Sequence, residues 1–123
     1  MEERVPNPHP GEVLREDYLV PLDKTAEWLS ERLRMPLSEV NEVLNGERPI
    51  TAETALRLHR LFGASAEFWL HYQAAYDLEE ERYRLAQELD KIDRYRMPHL
   101  AYDENGEIIG AASPEEAELG LRR

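Results

Sequence analysis

Asn41 and Asn45 stand four residues apart, and each carries an amide that can donate and accept in one plane. That chemistry pairs bidentately with the edge of adenine in the major groove of DNA. Both lie in a short stretch whose apolar Leu37, Val40, Val43 and Leu44 fall on one helical face, leaving Ser38, Glu39, Asn41, Glu42 and Asn45 on the other. A glutamate there can accept from cytosine N4, although its charge repels phosphate. Enzymatic chemistry has less to work with. His9, His59, His71 and His99 are scattered, with no ligand pair on one helix face, no cysteine and no glycine-rich phosphate loop. Carboxylates abound, but in a chain that is 33% charged an exposed Glu is ordinarily a solvated face. No catalytic residue, metal or cofactor is expected.

The elements that must hold those asparagines can be read on either side. Thr25 is placed to cap a helix with Ala26, Leu29 and Leu33 on one face, and a tight Met35-Pro36-Leu37-Ser38 corner leads into the asparagine-bearing helix. Gly46 sits where a helix end wants a left-handed residue, after which Asn45-Gly46-Glu47-Arg48-Pro49-Ile50-Thr51 leads into a third helix with Ala55, Leu58 and Phe62 inward and Gly63 at its end. Any small three-helix bundle uses such caps and stripes. Two short helices around a sharp corner are also how a helix-turn-helix DNA reader is written.

Upstream, Pro6, Pro8 and Pro10 make an extended arm that turns into a first helix with Val13, Leu14 and Tyr18 facing in. Downstream, Ser65 caps a fifth helix carrying Phe68, Trp69, Tyr72 and Tyr76, an aromatic stripe that serves a core or a dimer contact. From Glu79 to Arg96 the pattern thins to a seam of Leu78, Leu85, Leu89 and Ile92, with Glu80/Arg84 and Asp90/Arg94 at i, i+4, and Pro98 is expected to end this helix. Leu100-Ala101-Tyr102 and Glu107-Ile108-Ile109 flank an Asp103-Glu104-Asn105-Gly106 turn and read as a β-hairpin, and Ser113-Pro114-Glu115-Glu116 reads as a capping box for a short last helix. The organisation expected is a domain over residues 1–78 and an extension over residues 79–123.

Three runs are specific in order and spacing: His9-Pro10-Gly11-Glu12-Val13-Leu14-Arg15-Glu16; Leu44 through Leu58 with Asn45-Gly46-Glu47-Arg48-Pro49-Ile50-Thr51; and Phe62-Gly63-Ala64-Ser65-Ala66-Glu67-Phe68-Trp69-Leu70 followed by Gln73-Ala74-Ala75-Tyr76-Asp77-Leu78. The chain resembles, over about residues 9 to 80, the HigA-type antitoxins of bacterial toxin–antitoxin modules, a branch of the Xre/Cro-like helix-turn-helix proteins. The resemblance implies an all-α, five-helix, lambda-repressor-like domain, here with a C-terminal helical extension and a small β-hairpin. It implies a homodimer that represses its own operon on double-stranded operator DNA and neutralises a partner toxin, commonly a small basic RelE-like ribonuclease. Matching positions put the DNA face on Ser38, Glu39, Asn41, Glu42 and Asn45, with Thr25, Arg48 and Thr51 near the phosphates. The dimer interface is expected on Trp69, Tyr72, Leu85, Leu89 and Ile92. The chain departs from the family pattern at Ala26, where Gln is usual, and at Ser30 and Arg34, where Ala and Gly are usual.

Charge bears on both partners. The formal net charge is −11, with 8 Lys+Arg against 14 Asp+Glu up to Leu78 and 7 against 12 beyond it. Affinity for phosphates is therefore local and salt-dependent, whereas a basic protein partner is drawn to such a field. Two further readings stand beside this one: a protein-interaction module whose helix-turn-helix no longer binds DNA, consistent with Ala26, Glu39 and Glu42, and, more narrowly, a stand-alone Xre-type regulator without a toxin. At 123 residues and 41% hydrophobic, the chain can bury one core. No apolar run spans a membrane, no signal segment opens the chain, and cytoplasm is the expected compartment.

Overall fold

His9 and Pro10 start the first helix between them: His9 Nδ1 accepts from the Gly11 N–H at 2.9 Å, and Pro10, with no N–H to satisfy, takes the first helical position. In this computed structural model, which describes residues 7–112, α1 (Pro10–Val13) continues into a π-helical stretch (Leu14–Leu19) and α2 (Val20–Leu22). Pro21 has no N–H to return to the preceding turn, and the Val20 N–H reaches the Arg15 carbonyl five residues back, so the rod widens here. Asp23, left-handed at φ 56°, ends it. The capping box at Ser113 and the last helix expected from it lie outside the described residues, as does Pro6 of the arm.

The next helices form as their caps dictate. Thr25 Oγ1 accepts from the Trp28 N–H at 3.1 Å and opens α3 (Ala26–Leu33), whose Leu29 and Leu33 are buried. α4 (Leu37–Leu44) buries Val40, Val43 and Leu44. Leu37, expected inside, is 37% exposed, because it stands at the first position on the margin of the apolar stripe. Gly46 takes φ +75°, the Glu47 N–H reaches the Glu42 carbonyl and the Gly46 N–H that of Val43, a left-handed helix ending that satisfies otherwise free carbonyls. Thr51 caps α5 (Ala52–Phe62), and Gly63 at φ +92° closes it. Ser65 Oγ accepts from the Phe68 N–H at 3.0 Å at the start of α6 (Ala66–Leu89).

Trp69 is the centre of the core. It is fully buried, with the Tyr18 ring 5.3 Å and the Phe68 ring 5.1 Å away, and Tyr18 in turn stacks at 5.0 Å on Phe62. Leu14, Leu29, Ile50, Ala55 and Leu58 complete the interior, so all five helical bodies feed one core.

The two helices expected from Ser65 to Pro98 are a single 24-residue helix, and it stops at Leu89 rather than at Pro98. Beyond Leu89 the Asp90 amide makes a last, long helical bond to the Ala86 carbonyl at 3.3 Å and the Lys91 and Ile92 amides make only three-residue turn bonds, in a stretch whose two Asp and one β-branched residue favour helix weakly. Asp90 and Arg94 therefore do not share a helical turn, and Arg94 Nη2 instead meets Glu107 Oε2 at 3.3 Å. Arg84 bonds to Glu81, one turn back.

The chain divides into two compact units between Arg84 and Leu85. The second contains the expected hairpin: β1 (Leu100–Tyr102) pairs antiparallel with β2 (Ile108–Ala111), Leu100 opposite Ala111 and Tyr102 opposite Ile108. In its turn only Gly106 has positive φ, +83°, because Asp103 does the rest: its Oδ1 accepts from the Asn105 and Glu107 N–H groups at 2.8 and 2.9 Å. Arg96 lies 5.1 Å over the Tyr102 ring, and the Tyr102 hydroxyl accepts from the Met97 N–H at 2.8 Å. Ile108 and Ile109 remain 55% and 64% exposed, so this two-stranded sheet leaves apolar surface open.

Candidate nucleic-acid interface

The exposed side of α4 is set by helical geometry. At about 100° per residue, Ser38, Asn41, Glu42 and Asn45 fall within one arc opposite Val40 and Val43. Ser38, Asn41 and Asn45 are exposed; Glu39 and Glu42 are half-buried at or near that arc. Among the described residues, the Ser38, Asn41 and Asn45 side chains bond to nothing within the chain, which leaves their donors and acceptors open to a ligand.

Both ends of α4 are pinned. Gly11 packs so closely that a Cβ built on it would lie 1.7 Å from the Val43 carbonyl oxygen, and Arg15 Nη1 donates to the Leu44 carbonyl at 2.6 Å. The His9 ring lies beneath Gly46 and edge-on to Tyr76, with 5.0 Å between the ring centroids. Burial pushes the His9 pKa below its usual value, against the opposing charges of Asp77 and Glu12. After α4, the buried Gln73 accepts the Ile50 N–H at 2.8 Å and donates to Asp77 at 3.0 Å. At the corner before α4, Ser30 Oγ donates to the Met35 carbonyl at 2.6 Å, and Arg57 Nη1 donates to the Leu33 and Arg34 carbonyls at 2.7 and 3.2 Å. Arg34 adopts φ +57°, the conformation a glycine would take with less strain.

His9, Gly11, Arg15, Arg57 and Gln73 thus hold α4 and the turns that flank it, and none of them stands among the site residues expected from the sequence. Gly11 alone leaves a signal, since a glycine at the second helical position lowers helix propensity and invites a packing explanation. The other four act through contacts between residues 23 or more apart, except for the local cap of His9.

The residues expected near phosphates divide. The Thr25 and Thr51 hydroxyl oxygens accept the capping bonds from the Trp28 and Thr54 N–H groups, so those positions offer an anion the hydroxyl proton, which the cap does not use, and the remaining backbone N–H groups of the α3 and α5 N-termini. Arg48 is tied to Glu42: its Nε and Nη2 lie 2.8 and 2.7 Å from Glu42 Oε1. Lys24 and Arg32 each lie 5.4 Å from the Trp28 ring. A second cationic feature, a groove lined by Arg32, Leu33, Arg34, Arg57, Arg60 and Leu61, lies at the C-terminal end of α3.

Of the residues expected at a dimer contact, Trp69 is corrected outright: at 0% exposure it belongs to the core and offers a second copy no surface. On that stretch Tyr72 is half-buried and Phe68 is 41% exposed. Leu85 is half-buried and Leu89 45% exposed on α6, whereas Ile92, 71% exposed, lies past the end of the helix and does not continue its stripe. Among the described residues, no group of three or more His, Asp or Glu side chains is placed to hold a metal ion, and no helix is long and apolar enough to cross a membrane.

No protein-family model matches the chain. It is similar to virulence-associated protein I of Dichelobacter nodosus, at 49% identity over 75 residues that cover 61% of this chain and 69% of that one. Among solved structures, it matches an addiction module antidote protein of the HigA family from Coxiella burnetii at 37% identity and TM-score 0.70, covering 74% of this chain and 100% of that chain. It also matches the Pseudomonas aeruginosa antitoxin HigA solved with the higBA promoter, at 32% identity and TM-score 0.68, covering 70% of this chain and 95% of that chain.

Proposed function

The chain belongs to the HigA-type antitoxins of the Xre/Cro-like helix-turn-helix class, a family of regulators rather than enzymes, and on that footing we propose that it is an antitoxin and a DNA-binding repressor. The observation that carries the DNA reading is α4: pinned at both ends, with the Ser38, Asn41 and Asn45 side chains without a partner among the described residues. A rigid helix with unspent polar groups on its outer side is what base readout in a major groove requires. The P. aeruginosa relative was solved with promoter DNA, and we carry DNA binding to this chain, with α4 as the contacting helix on the geometry above.

The finer assignments rest on the family resemblance together with the physics of DNA reading and charge. One reading helix contacts few base pairs, so useful specificity needs a two-fold pair on half-sites about one DNA turn apart. The operator is that of its own operon. The family resemblance implies a small RelE-like ribonuclease as the toxin, and the net charge of −11 supports only that the partner is basic, since such a field speeds encounter with a cationic surface. A second reading, an interaction module that no longer binds DNA, is favoured by the Glu42–Arg48 pair, which places a carboxylate on the face that would meet phosphates.

The test is binding to a duplex from upstream of its own gene at fixed salt, followed by fluorescence anisotropy. Asn41→Ala and Asn45→Ala are each expected to lose discrimination against a scrambled duplex by about 1–3 kcal/mol. Unchanged operator affinity in both variants would sink the assignment of α4.

A further inference from the structure

Glu42 and Arg48 are six residues apart and separated by the end of a helix, yet two guanidinium nitrogens of Arg48 converge on one oxygen of Glu42 at 2.7 and 2.8 Å. Both side chains are 44% exposed, so neither has been drawn into the core. The left-handed turn at Gly46 folds the chain back and brings Arg48 over the last turn of α4. Glu42 lies beside Asn41 on the outer side of that helix, and Arg48 is the cation the sequence places nearest to it.

A guanidinium binds carboxylate and phosphate with the same planar donor set. Glu42 engages the Nε–Nη2 edge of Arg48, so in the free protein it competes with a DNA backbone for that edge and for the direction in which the side chain points. We propose that Glu42 is a built-in competitor for phosphate, holding Arg48 out of contact until a duplex displaces it, so that the Glu42 carboxylate sets how tightly the protein holds any DNA. The inference rests on the reading of α4 as the DNA-contacting helix. In a chain of net charge −11, each cation available at this face counts toward the attraction for DNA, so holding or releasing one is felt in the affinity. The tie is an exposed ion pair, so its effect is a moderate one, of a size that a duplex can overcome.

The experiment is a double-mutant cycle on the full chain, with Glu42→Gln, Arg48→Ala and the pair together, measured on the upstream duplex and on a scrambled duplex at one salt concentration. Glu42→Gln is expected to tighten both duplexes by about two- to five-fold, the range an exposed pair can withhold. The larger part of that gain should vanish when Arg48 is already Ala. A gain that survives Arg48→Ala intact would mean that Glu42 merely repels phosphates, and a loss of affinity for the upstream duplex alone would mean that it reads a base; either outcome overturns the proposal while leaving the DNA reading in place. Wild-type protein that binds neither duplex at low salt overturns both. An independent readout is the Arg48 Nε–H resonance: it should move on Glu42→Gln in the free protein and on addition of the upstream duplex to the wild type, and a resonance indifferent to the duplex would count against the exchange.

Discussion

Gly11 and the Val43 carbonyl oxygen are in such close contact that no side chain fits between them, since a Cβ on Gly11 would come within 1.7 Å of that oxygen. The first helix thereby fixes the depth at which α4 sits. Gly11→Ala is expected to destabilise the protein by about 1–3 kcal/mol, at the upper end because the obstacle is backbone and cannot rotate away. Urea denaturation followed by circular dichroism checks this, and a midpoint within error of wild type would contradict so close a packing.

Arg34 pays for its left-handed backbone at the corner before α4 without any side-chain hydrogen bond or ion pair among the described residues. Arg34→Gly should therefore stabilise the fold by about 1 kcal/mol, the strain relieved exceeding the extra freedom a glycine gives the unfolded chain. Thermal unfolding reads this directly. A lower Tm in the variant would show that the arginine makes a contribution the geometry does not reveal.

His9 makes stability depend on pH in a stated direction. Its Nδ1 accepts from the Gly11 N–H and must be unprotonated to do so, and burial, the largest cause, lowers its pKa below 6.5 in the folded protein. The folded state therefore binds fewer protons than the unfolded chain through this range, so the contribution is whole above 6.5 and is lost as pH falls through it toward the folded value. His9→Asn keeps a helix cap that does not titrate. Between about pH 7.5 and pH 5, the wild-type urea midpoint should fall more than that of His9→Asn, and parallel slopes would remove His9 as the cause.

Removal of everything after Arg84 separates the two units at their structural boundary. The first unit carries the buried core, so the shortened protein should stay folded and cooperative. If the extension with exposed Leu89, Ile108 and Ile109 completes the dimer or meets the toxin, light scattering or growth rescue in cells making the toxin should report a loss. A truncated protein that is still dimeric and still protective would assign both roles to the first unit.

Gln73 offers the same kind of test from α6, because Gln73→Ala would leave the Ile50 N–H buried without its partner. The expected loss is about 1–3 kcal/mol, with faster hydrogen exchange at the Ile50 amide. An unprotected Ile50 amide in the wild type would rule the bond out.

Local rules make the helices legible in the amino-acid sequence by itself. Thr25, Thr51 and Ser65 cap where a hydroxyl three residues ahead of a backbone N–H can reach it, Gly46 and Gly63 end helices where positive φ is needed, and apolar residues at helical spacing mark the buried sides of α3, α4 and α5. The outward set of Ser38, Asn41 and Asn45 follows from that period alone. Tertiary structure decided what periodicity cannot express. Trp69 shares a stripe with Tyr72, and only the convergence of Tyr18 and Phe68 on its ring puts one in the core and leaves the other half-buried. α6 ends at Leu89 where short-range pairing suggests continuation, with Arg94 bonded to Glu107 in the hairpin instead. Arg48 looks free in the sequence because its partner lies across a helix end, six residues back, at a spacing that no helical or strand repeat brings together. Caps and stripes depend on neighbours within a turn or two and are written in the chain; which groups meet across the fold is settled when all the helices compete for one interior.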